Sequence, residues 1–335
     1  MKFGEVFMQY LNDEKEGFLN NSSHVEYKRL KKVLKGCRAL KDGCSNSADE
    51  AEDGQISSEI CKCEACPVCE QKFVSELMKE ASDIASFFSL SVKHLHALHT
   101  GQGVFRYLSH HVCFRSDQKN IVHMGQSLIE YVTMNTTAMR KILKKYDKVH
   151  GSVYSGKFMS MMQTKHIELL HSPWLIELGA FLINCNKEVN GTCLNYRGPL
   201  SIDLDSDEPV ISMILPDSSV KLDYTLTCPI CLDLLFNPYA LSCGHLFCKS
   251  CACSSASVMI FEGLDSATPQ SKCPVCREAG VFAKSIQMVE LEMLLRKRLK
   301  NKKCWRERVA AERAEIVKQS KQYWSLQTKY MVGYS

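Results

Sequence analysis

Along most of the first half of the chain, apolar residues recur with the 3.6-residue spacing of an α-helix. This spacing predicts helices over residues 1–41, 71–115, 121–150 and 158–185. Pro173 fits a kink or the start of a helix, because proline has no amide hydrogen and the first helical amides need no partner inside the helix. Residues 286–330 are rich in Leu, Lys, Arg and Glu and contain neither Gly nor Pro. That composition predicts a further helix at the C-terminal end.

The segments between these helices have a different composition. Residues 42–59 are dominated by Asp, Glu, Ser, Asn and Gly, which predicts a solvated loop. Residues 186–209 are rich in Asn, Gly and Asp, which is typical of a linker. The stretch 210–222 alternates loosely between apolar and polar residues, and this pattern is compatible with a short strand.

Composition narrows the class of protein. The 335 residues are 45% apolar and 24% charged, with a net charge of +5, as in ordinary globular proteins. No run reaches the ~18 uninterrupted apolar residues of a membrane span, and the N-terminus has acidic and polar residues where a secretory signal is apolar. We therefore expect an intracellular protein, in the cytoplasm, at the periphery of the plasma membrane or in the nucleus. Eighteen cysteines in a reducing compartment favour metal ligands over disulfides.

Eight residues between positions 228 and 276 have the spacing of zinc ligands. They follow the pattern C-x2-C-x11-C-x-H-x2-C-x2-C-x21-C-x2-C, and are Cys228, Cys231, Cys243, His245, Cys248, Cys251, Cys273 and Cys276. A C-x2-C pair turns the backbone so that both thiolates reach one metal ion, and a structural zinc site takes four such ligands. Eight ligands therefore predict two zinc ions. A PHD finger usually has histidine as its fifth ligand and a tryptophan before the last pair, and neither is present.

The ligand order resembles that of the C3HC4 RING family. The resemblance implies two interleaved sites, one formed by Cys228, Cys231, Cys248 and Cys251, the other by Cys243, His245, Cys273 and Cys276. It also implies a groove for a ubiquitin-conjugating enzyme, the E2, at Ile230 and Pro274. Arg277 lies where many RING domains have a cation that holds the ubiquitin tail against the E2, and its five donors suit that role. The plainer interpretation of Arg277 is a solvated surface charge.

A RING domain forms no covalent intermediate, because it accelerates transfer by orienting the loaded E2 and the acceptor lysine. Many RING domains have a tryptophan that contacts the E2 between the fifth and sixth cysteine ligands. This chain has none there, and Ile260 or Phe261 is the candidate substitute. Cys253 is the nearest spare thiol, but nothing in the sequence marks it as an activated nucleophile. We interpret Cys253 as a structural residue.

Four lysines share one face of the helix predicted over 121–150. Lys141, Lys144, Lys145 and Lys148 have the spacing i, i+3, i+4 and i+7, whereas the opposite face has Met139, Ile142, Leu143 and Tyr146. Lysines stacked in this way repel one another by roughly a few tenths of a kcal/mol per pair, so a polyanion would relieve the repulsion. A second basic stretch puts Tyr27 and Lys31 on one helical face. A solvated helix face is the general alternative for such a charge run.

These basic segments resemble the characteristic segments of SPX domains. The matching stretches are Lys2-Phe3-Gly4, Tyr27-Lys-Arg-Leu-Lys-Lys32 and Arg140-Lys-Ile-Leu-Lys-Lys-Tyr-Asp-Lys148. The resemblance covers roughly residues 1–185 and implies a helical domain with a long antiparallel helix pair that senses inositol polyphosphates and pyrophosphates. By position, it implies one phosphate-binding cluster of Tyr27, Lys31 and Lys145, and another of Lys141, Lys144 and Lys148, with Lys2 near both. Thr137-Ala138-Met139 departs from the glycine and leucine often found there, and we do not expect this departure to abolish binding.

An SPX domain followed by a C3HC4 RING is similar to the plant "nitrogen limitation adaptation" ubiquitin ligases. The stretches His171-Ser-Pro-Trp-Leu175 and Cys251-Ala-Cys-Ser-Ser-Ala-Ser257 also match that family. The resemblance implies a RING-type E3 ubiquitin-protein ligase whose SPX domain senses inositol phosphates, and which directs phosphate transporters to degradation. Two alternatives are a phosphate-sensing adaptor with a purely structural RING and a nucleic-acid-binding RING protein. No nucleic-acid partner is expected, because the four-lysine side of the helix predicted over 121–150 lacks aromatic, Asn or Gln residues that read bases.

Two further patterns each have two interpretations. Cys61, Cys63, Cys66 and Cys69 are either ligands of a third metal ion or free thiols in a loop. Val309, Ile316, Tyr323 and Tyr330 recur every seven residues and predict either a homodimer seam or a helix that packs back onto the RING.

Together these patterns predict a mainly α protein with a small zinc-bound α+β domain. The expected order is an SPX domain over 1–185 with a loop insert at about 42–70, a linker over 186–222, a RING domain over 223–285 and a C-terminal helix over 286–335.

Overall fold

The computed structural model describes most of the chain. The described residues are 2–13, 19–20, 22–45, 70–106, 114–185, 200–204, 206, 208–214, 221–299 and 302–333. They form two compact units, Met1–Leu170 and His171–Ser335. Within those ranges, no helix is both long enough and apolar enough to cross a membrane.

The first unit is helical. Its α-helices are α1 (Phe3–Asp13), α2 (Tyr27–Ser45), α3 (Ser75–Arg106), α4 (Phe114–His150) and α5 (Tyr154–Thr164). A π-helix at Glu70–Val74 leads into α3, and a 3-10 helix at Leu169–His171 follows α5. The helices α3 and α4, of 32 and 37 residues, pack against each other as the predicted long helix pair. Because α4 also packs against α2 and α5, it lies at the centre of this unit.

The core of the first unit explains which side chains α4 leaves at the surface. Met139, Ile142, Leu143 and Tyr146 are buried, as the sequence pattern predicts. Lys144 and Lys148 are exposed on the same helix. Burying apolar side chains is the main favourable term in folding. It therefore fixes the rotation of α4 and directs the lysines outward.

Hydrogen bonds to α4 position the start of α2. The backbone amide of Val25 donates to Asn135 Oδ1 at 3.0 Å, and the Tyr131 hydroxyl donates to the carbonyl of Ser23. Both bonds are at least partly buried, so leaving one of them unmade would cost roughly 1–3 kcal/mol. These contacts place Tyr27, the first residue of α2, beside α1.

The second unit combines helices with two small antiparallel sheets. Its α-helices are α6 (Pro173–Cys185), α7 (Lys249–Ser255), α8 (Val289–Arg298) and α9 (Lys302–Val332). Its strands are β1 (Leu200–Asp203), β2 (Val210–Ile214), β3 (Lys221–Thr225), β4 (Pro238–Ala240), β5 (Leu246–Cys248) and β6 (Ile286–Gln287). The strand order is β1-β2-β3 in one sheet and β5-β4-β6 in the other. The predicted class, mainly α with a small α+β part, is confirmed.

The helix α6 lies in the second unit, whereas the sequence pattern grouped it with the N-terminal domain. It begins at Pro173, as predicted, and packs against α8. The buried carboxyl group of Glu177 accepts hydrogen bonds from the backbone amides of Glu290 and Leu291, at 2.7 and 3.2 Å. Amides in the first turn of a helix have no partner within it, so Glu177 caps α8 from another element.

The segment expected to be a linker, residues 186–222, contains β1, β2 and the start of β3, which form the first sheet. Leu200 in β1 is buried against α6, where a Cβ on Gly179 would lie 2.9 Å from a Leu200 methyl carbon. The C-terminal segment also differs, since it forms two helices rather than one. Leu299 ends α8 in an extended conformation. This break lets α8 pack against α6 while α9 lies along the RING.

Candidate functional site

The eight predicted zinc ligands converge in two sets of four. Cys228, Cys231, Cys248 and Cys251 form the first cluster, and Cys243, His245, Cys273 and Cys276 form the second. Within each cluster, one ligand atom from every residue lies within 4.8 Å of the others. The Sγ atoms of Cys231 and Cys248 are 3.8 Å apart. Tetrahedral zinc with bonds of about 2.3 Å places its sulfur ligands about 3.8 Å apart, so the first cluster has the size of a zinc site.

The two C-x2-C turns share one backbone geometry. Leu232 donates its amide to the carbonyl of Cys228, and Arg277 donates its amide to the carbonyl of Cys273, at 2.9 and 2.8 Å. Leu232 and Arg277 both have a positive φ, of 59° and 62°. A non-glycine residue in this left-handed conformation is uncommon and costs free energy. The repeated turn therefore indicates a constraint that metal coordination would supply.

The loop between β4 and β5 supplies the central ligands Cys243 and His245. Gly244 between them has φ of +87°, and a Cβ there would lie 2.8 Å from the backbone oxygen of His171. The position therefore requires glycine for two independent reasons. The Nδ1 atom of His245 lies 3.3 Å from Cys243 Sγ and 3.7 Å from Cys273 Sγ, so Nδ1 is the nitrogen that faces the cluster.

The electrostatics of the clusters fit a bound cation. Hydrogen bonding to the Cys228 and Cys251 sulfur atoms, together with burial, raises the pKa of the Cys248 thiol. Sulfur atoms this close cannot all carry a negative charge unless a positive ion compensates them. A zinc ion deprotonates coordinating thiols, and structural zinc sites use either four thiolates or three thiolates and one imidazole. Each cluster could therefore hold one zinc ion.

Exposed apolar side chains lie on both C-x2-C turns. Ile230 on the first turn is 41% exposed, and Pro274 on the second turn is exposed. Leu232 and Val275, which were not predicted from the sequence, are 77% and 48% exposed on the same turns. The sequence feature that could have identified Leu232 and Val275 is their position inside or beside a C-x2-C pair. Arg277 is also exposed, so its guanidinium is accessible to a partner.

The structure distinguishes the two candidate substitutes for the missing tryptophan. Ile260 is buried, and its amide donates to Gln319 Oε1 of α9 at 2.9 Å. Phe261 is partly exposed, with its ring centroid 5.8 Å from that of Tyr323.

Cys253 is fully buried, and burial raises the pKa of its thiol to about 11. A protonated, inaccessible thiol is a poor nucleophile, which agrees with a structural role.

The three basic segments of the first unit meet around an aromatic contact. The Lys141 ammonium lies 4.1 Å from the centre of the Phe3 ring, within the range of a cation–π interaction. The Phe3 ring packs edge-on against Tyr27, with centroids 5.5 Å apart. Gly4 lies against Tyr27, since a Cβ there would be 3.5 Å from the Tyr27 ring. The N-terminus, α2 and α4 are therefore in contact at these residues.

We call Lys31, Lys141, Lys144 and Lys148 the lysine face. None of the four forms an ion pair with a carboxylate in the described part of the chain. Arg29 on α2 differs, because it pairs with Glu26, with Glu76 at 3.4 Å and with Glu80 at 3.0 Å. The positive charge of α2 is thus neutralised on one side and left uncompensated at Lys31. Lys2 is exposed, and Lys145 is half-buried on the same face of α4.

The remaining predicted patterns have separate outcomes. Cys61, Cys63, Cys66 and Cys69 lie outside the described residues. The seven-residue repeat of α9 faces the RING at Tyr323, which contacts Phe261. Val309 and Ile316 are half-buried, whereas Tyr330 is exposed. These contacts favour packing onto the RING, and the homodimer stays a prediction.

Comparisons with known proteins identify the families to which both parts of the chain are similar. A RING-type zinc-finger model matches residues 228–274, and an SPX domain model matches residues 126–162. An Arabidopsis thaliana protein named "Probable E3 ubiquitin-protein ligase BAH1-like" is 51% identical over all of this chain and all of its own length. The Arabidopsis "E3 ubiquitin-protein ligase NLA" is 38% identical over 99% of this chain and all of its own length. No solved structure matches the chain.

The chain belongs to the BAH1-like family of E3 ubiquitin-protein ligases. A shorter match to human "E3 ubiquitin-protein ligase TRIM22" is 46% identical over 18% of this chain and 12% of that protein. The protein is therefore a RING-type E3 ligase with an SPX domain. A RING orients the E2 and forms no covalent intermediate with ubiquitin, so it contributes through position rather than through a nucleophile.

Proposed function

We propose that this ligase binds two zinc ions in its RING and senses inositol polyphosphates or pyrophosphates at its lysine face. The zinc ions would be held by the two clusters described above, and Ile230, Pro274 and Arg277 would contact the E2. The observation that carries the sensing proposal is that none of the four lysines of the lysine face pairs with a carboxylate in the described part of the chain. The hydroxyl of Tyr27, on the same helix as Lys31, would add a hydrogen-bond donor.

The chemistry of the lysine face suits phosphate groups. Ammonium groups form strong, charge-assisted hydrogen bonds with phosphate oxygens. The contacts of Phe3 with Tyr27 and with Lys141 link the start of α2 to α4, and this supports a shared site for lysines of both helices. A ligand with several phosphates would neutralise more than one of these cations at once. The proposed ligand-binding residues are Lys2, Tyr27, Lys31, Lys141, Lys144, Lys145 and Lys148.

Calorimetric titration of the full-length protein with inositol hexakisphosphate tests this proposal. Changing Lys141, Lys144 and Lys148 to Ala should weaken binding at least about tenfold, or about 1.4 kcal/mol. The matched control changes Lys318, Lys321 and Lys329 of α9 to Ala, which removes the same charge from the second unit. Equal affinities in wild type and the first triple variant would contradict the proposal. Stronger binding of DNA than of inositol hexakisphosphate would favour the nucleic-acid alternative.

We further propose that the ligase acts on phosphate transporters, at the periphery of the plasma membrane. This proposal is supported by the SPX match, since a phosphate sensor joined to a ligase suits the control of phosphate uptake. Quantitative proteomics in cells carrying the Ile230→Ala protein tests it. Phosphate transporters should accumulate relative to cells with the wild-type protein. Unchanged transporter levels, with other proteins accumulating instead, would point to a different substrate.

A further inference from the structure

The helix α9 places a cation against the first zinc cluster. Arg308 Nη2 lies 3.5 Å from the Sγ atom of Cys248, and Nη1 donates to the carbonyl of Leu234 at 2.7 Å. The guanidinium also lies 4.9 Å from the centre of the Phe236 ring, whose backbone amide points at the same Cys248 sulfur at 3.3 Å. A side chain far along the sequence from the first cluster thus contacts its buried ligand Cys248.

Arg308 has no carboxylate partner among the residues that the structure describes. It is half-buried, so its charge is partly removed from water. Leaving a cation without a counter-charge in such a place is costly. Four thiolates around one Zn²⁺ leave a formal charge of about −2, which the single positive charge of the guanidinium would offset in part. The negatively charged first zinc site and the Arg308 guanidinium would therefore lie side by side, each without another counter-charge from the described residues.

Packing around Phe236 holds this arrangement in place. Trp305, one turn before Arg308, is buried and packs edge-on against Phe236 with centroids 4.8 Å apart. Glu312, one turn after Arg308, accepts a hydrogen bond from Asn237 Nδ2 at 3.3 Å. These contacts fix α9 on both sides of Arg308, so the guanidinium has a defined position rather than a mobile one.

We propose that Arg308 is a positioning residue for the first zinc site, and that it tunes the Cys248 thiolate through a charge-assisted hydrogen bond. This inference rests on the proposed binding of zinc by the RING. Hydrogen bonds to ligating atoms orient them and tune the metal, and their loss typically costs roughly 10–100-fold in metal affinity. The helix α9 is then a component of the RING rather than an appendage to it.

The test uses full-length protein and two measurements. Competition with a zinc chelator measures the affinity of each site, and Arg308→Met should weaken the first site about tenfold while leaving the second site unchanged. Replacing zinc by cobalt gives a sulfur-to-metal charge-transfer band. Loss of a hydrogen bond to sulfur raises the energy of its lone pairs, so that band should move to longer wavelength. A purely packing role for Arg308 would not move it.

Two further variants make the result decisive. Arg308→Lys keeps the charge but replaces the rigid guanidinium fork by a single ammonium group, so its affinity and band position should lie between wild type and Arg308→Met. If Arg308→Met fails to fold, a shifted band in Arg308→Lys supports the inference and an unshifted band overturns it. Arg313→Met, which changes an exposed arginine on the same helix, is the control. If the wild type binds two zinc ions, and Arg308→Met has the same zinc affinity and band position, the role of Arg308 is overturned but the zinc proposal is not. Wild type without zinc would overturn the zinc proposal, and this inference with it.

Discussion

The zinc-ligand loops of the second unit and the lysine face of the first unit hold charged side chains in opposite ways. In the loops, eight potential anionic or neutral ligands converge in two clusters, and short elements such as the three-residue strands β4 and β5 hold them. On the lysine face, cations point outward from long helices whose apolar sides form the core. We expect the first arrangement to need its ion in order to fold, and the second to be folded before any ligand arrives.

From this difference we expect structure and regulation to depend on separate parts of the molecule. A metal site that supplies folding free energy cannot release its ion without loss of structure. A lysine face on a preformed core can bind and release a polyanion reversibly, because the fold does not depend on it. We therefore expect perturbations of the zinc loops to act on stability, and perturbations of the lysine face to act on ligand affinity.

Removal of zinc should give the largest effect. Structural zinc contributes on the order of 10 kcal/mol to folding, so a strong chelator should abolish amide protection across residues 228–276 while the core of α4 keeps its protection. Hydrogen exchange followed by mass spectrometry measures both regions in one sample. The control is the same chelator saturated with zinc. Equal loss of protection in α4, or no loss in the RING, would remove the proposed contrast.

The two units should also respond to pH in opposite directions. Burial lowers the pKa of His24 to about 4 from 6.5, so the first unit favours the neutral ring. The contribution of His24 to the stability of the first unit is present above pH 6.5 and is lost as pH falls through about 4. Burial raises the pKa of Glu177 to about 8 from 4.5, so the second unit favours the protonated carboxyl. The contribution of Glu177 to the stability of the second unit is present below pH 4.5 and is lost as pH rises through about 8.

Urea unfolding at several pH values measures this pair of effects. All three tryptophans, Trp174, Trp305 and Trp324, lie in the second unit, so their fluorescence reports on that unit. Far-UV circular dichroism has a large contribution from α3 and α4 of the first unit. In His24→Gln, the free energy of unfolding of the first unit should fall less as the pH is lowered. The difference should be about 2 kcal/mol after allowance for partial exposure. In Glu177→Gln, the free energy of unfolding of the second unit should fall less as the pH is raised. If both variants keep the pH dependence of the wild type, His24 and Glu177 are not its source.

Truncation of an exposed residue that we propose contacts the E2 should have the smallest effect on the fold. Ile230→Ala removes apolar surface that is already 41% exposed, so we expect unchanged zinc content and thermal stability. Its rate of autoubiquitination should fall about tenfold, equivalent to about 1.4 kcal/mol, because the E2 loses an anchoring contact. Val317→Ala, on α9 and also exposed, is the matched control. A fall in stability that parallels the fall in rate would show that Ile230 acts on the fold instead.

The local patterns of the sequence were sufficient to predict both candidate sites. Metal ligands must follow a narrow set of spacings, so the eight residues from Cys228 to Cys276 could be recognised by spacing alone, and their likeness to RING domains assigned them to two clusters. Helical periodicity likewise placed Lys141, Lys144 and Lys148 opposite a buried face, which the burial of Ile142 and Tyr146 confirms. Both predictions depend on short-range geometry, which the sequence expresses directly.

Contacts between distant segments could be decided only by the tertiary structure. The packing of α6 against α8, the sheet in the expected linker and the reach of Arg308 to Cys248 each depend on how segments meet in space. No spacing rule links such residues, because their partners are chosen by the burial of whole surfaces. The sequence therefore determined which side chains could form each site. The tertiary packing decided which helices support those sites, since only it brings Glu177 to α8 and α9 to the zinc cluster.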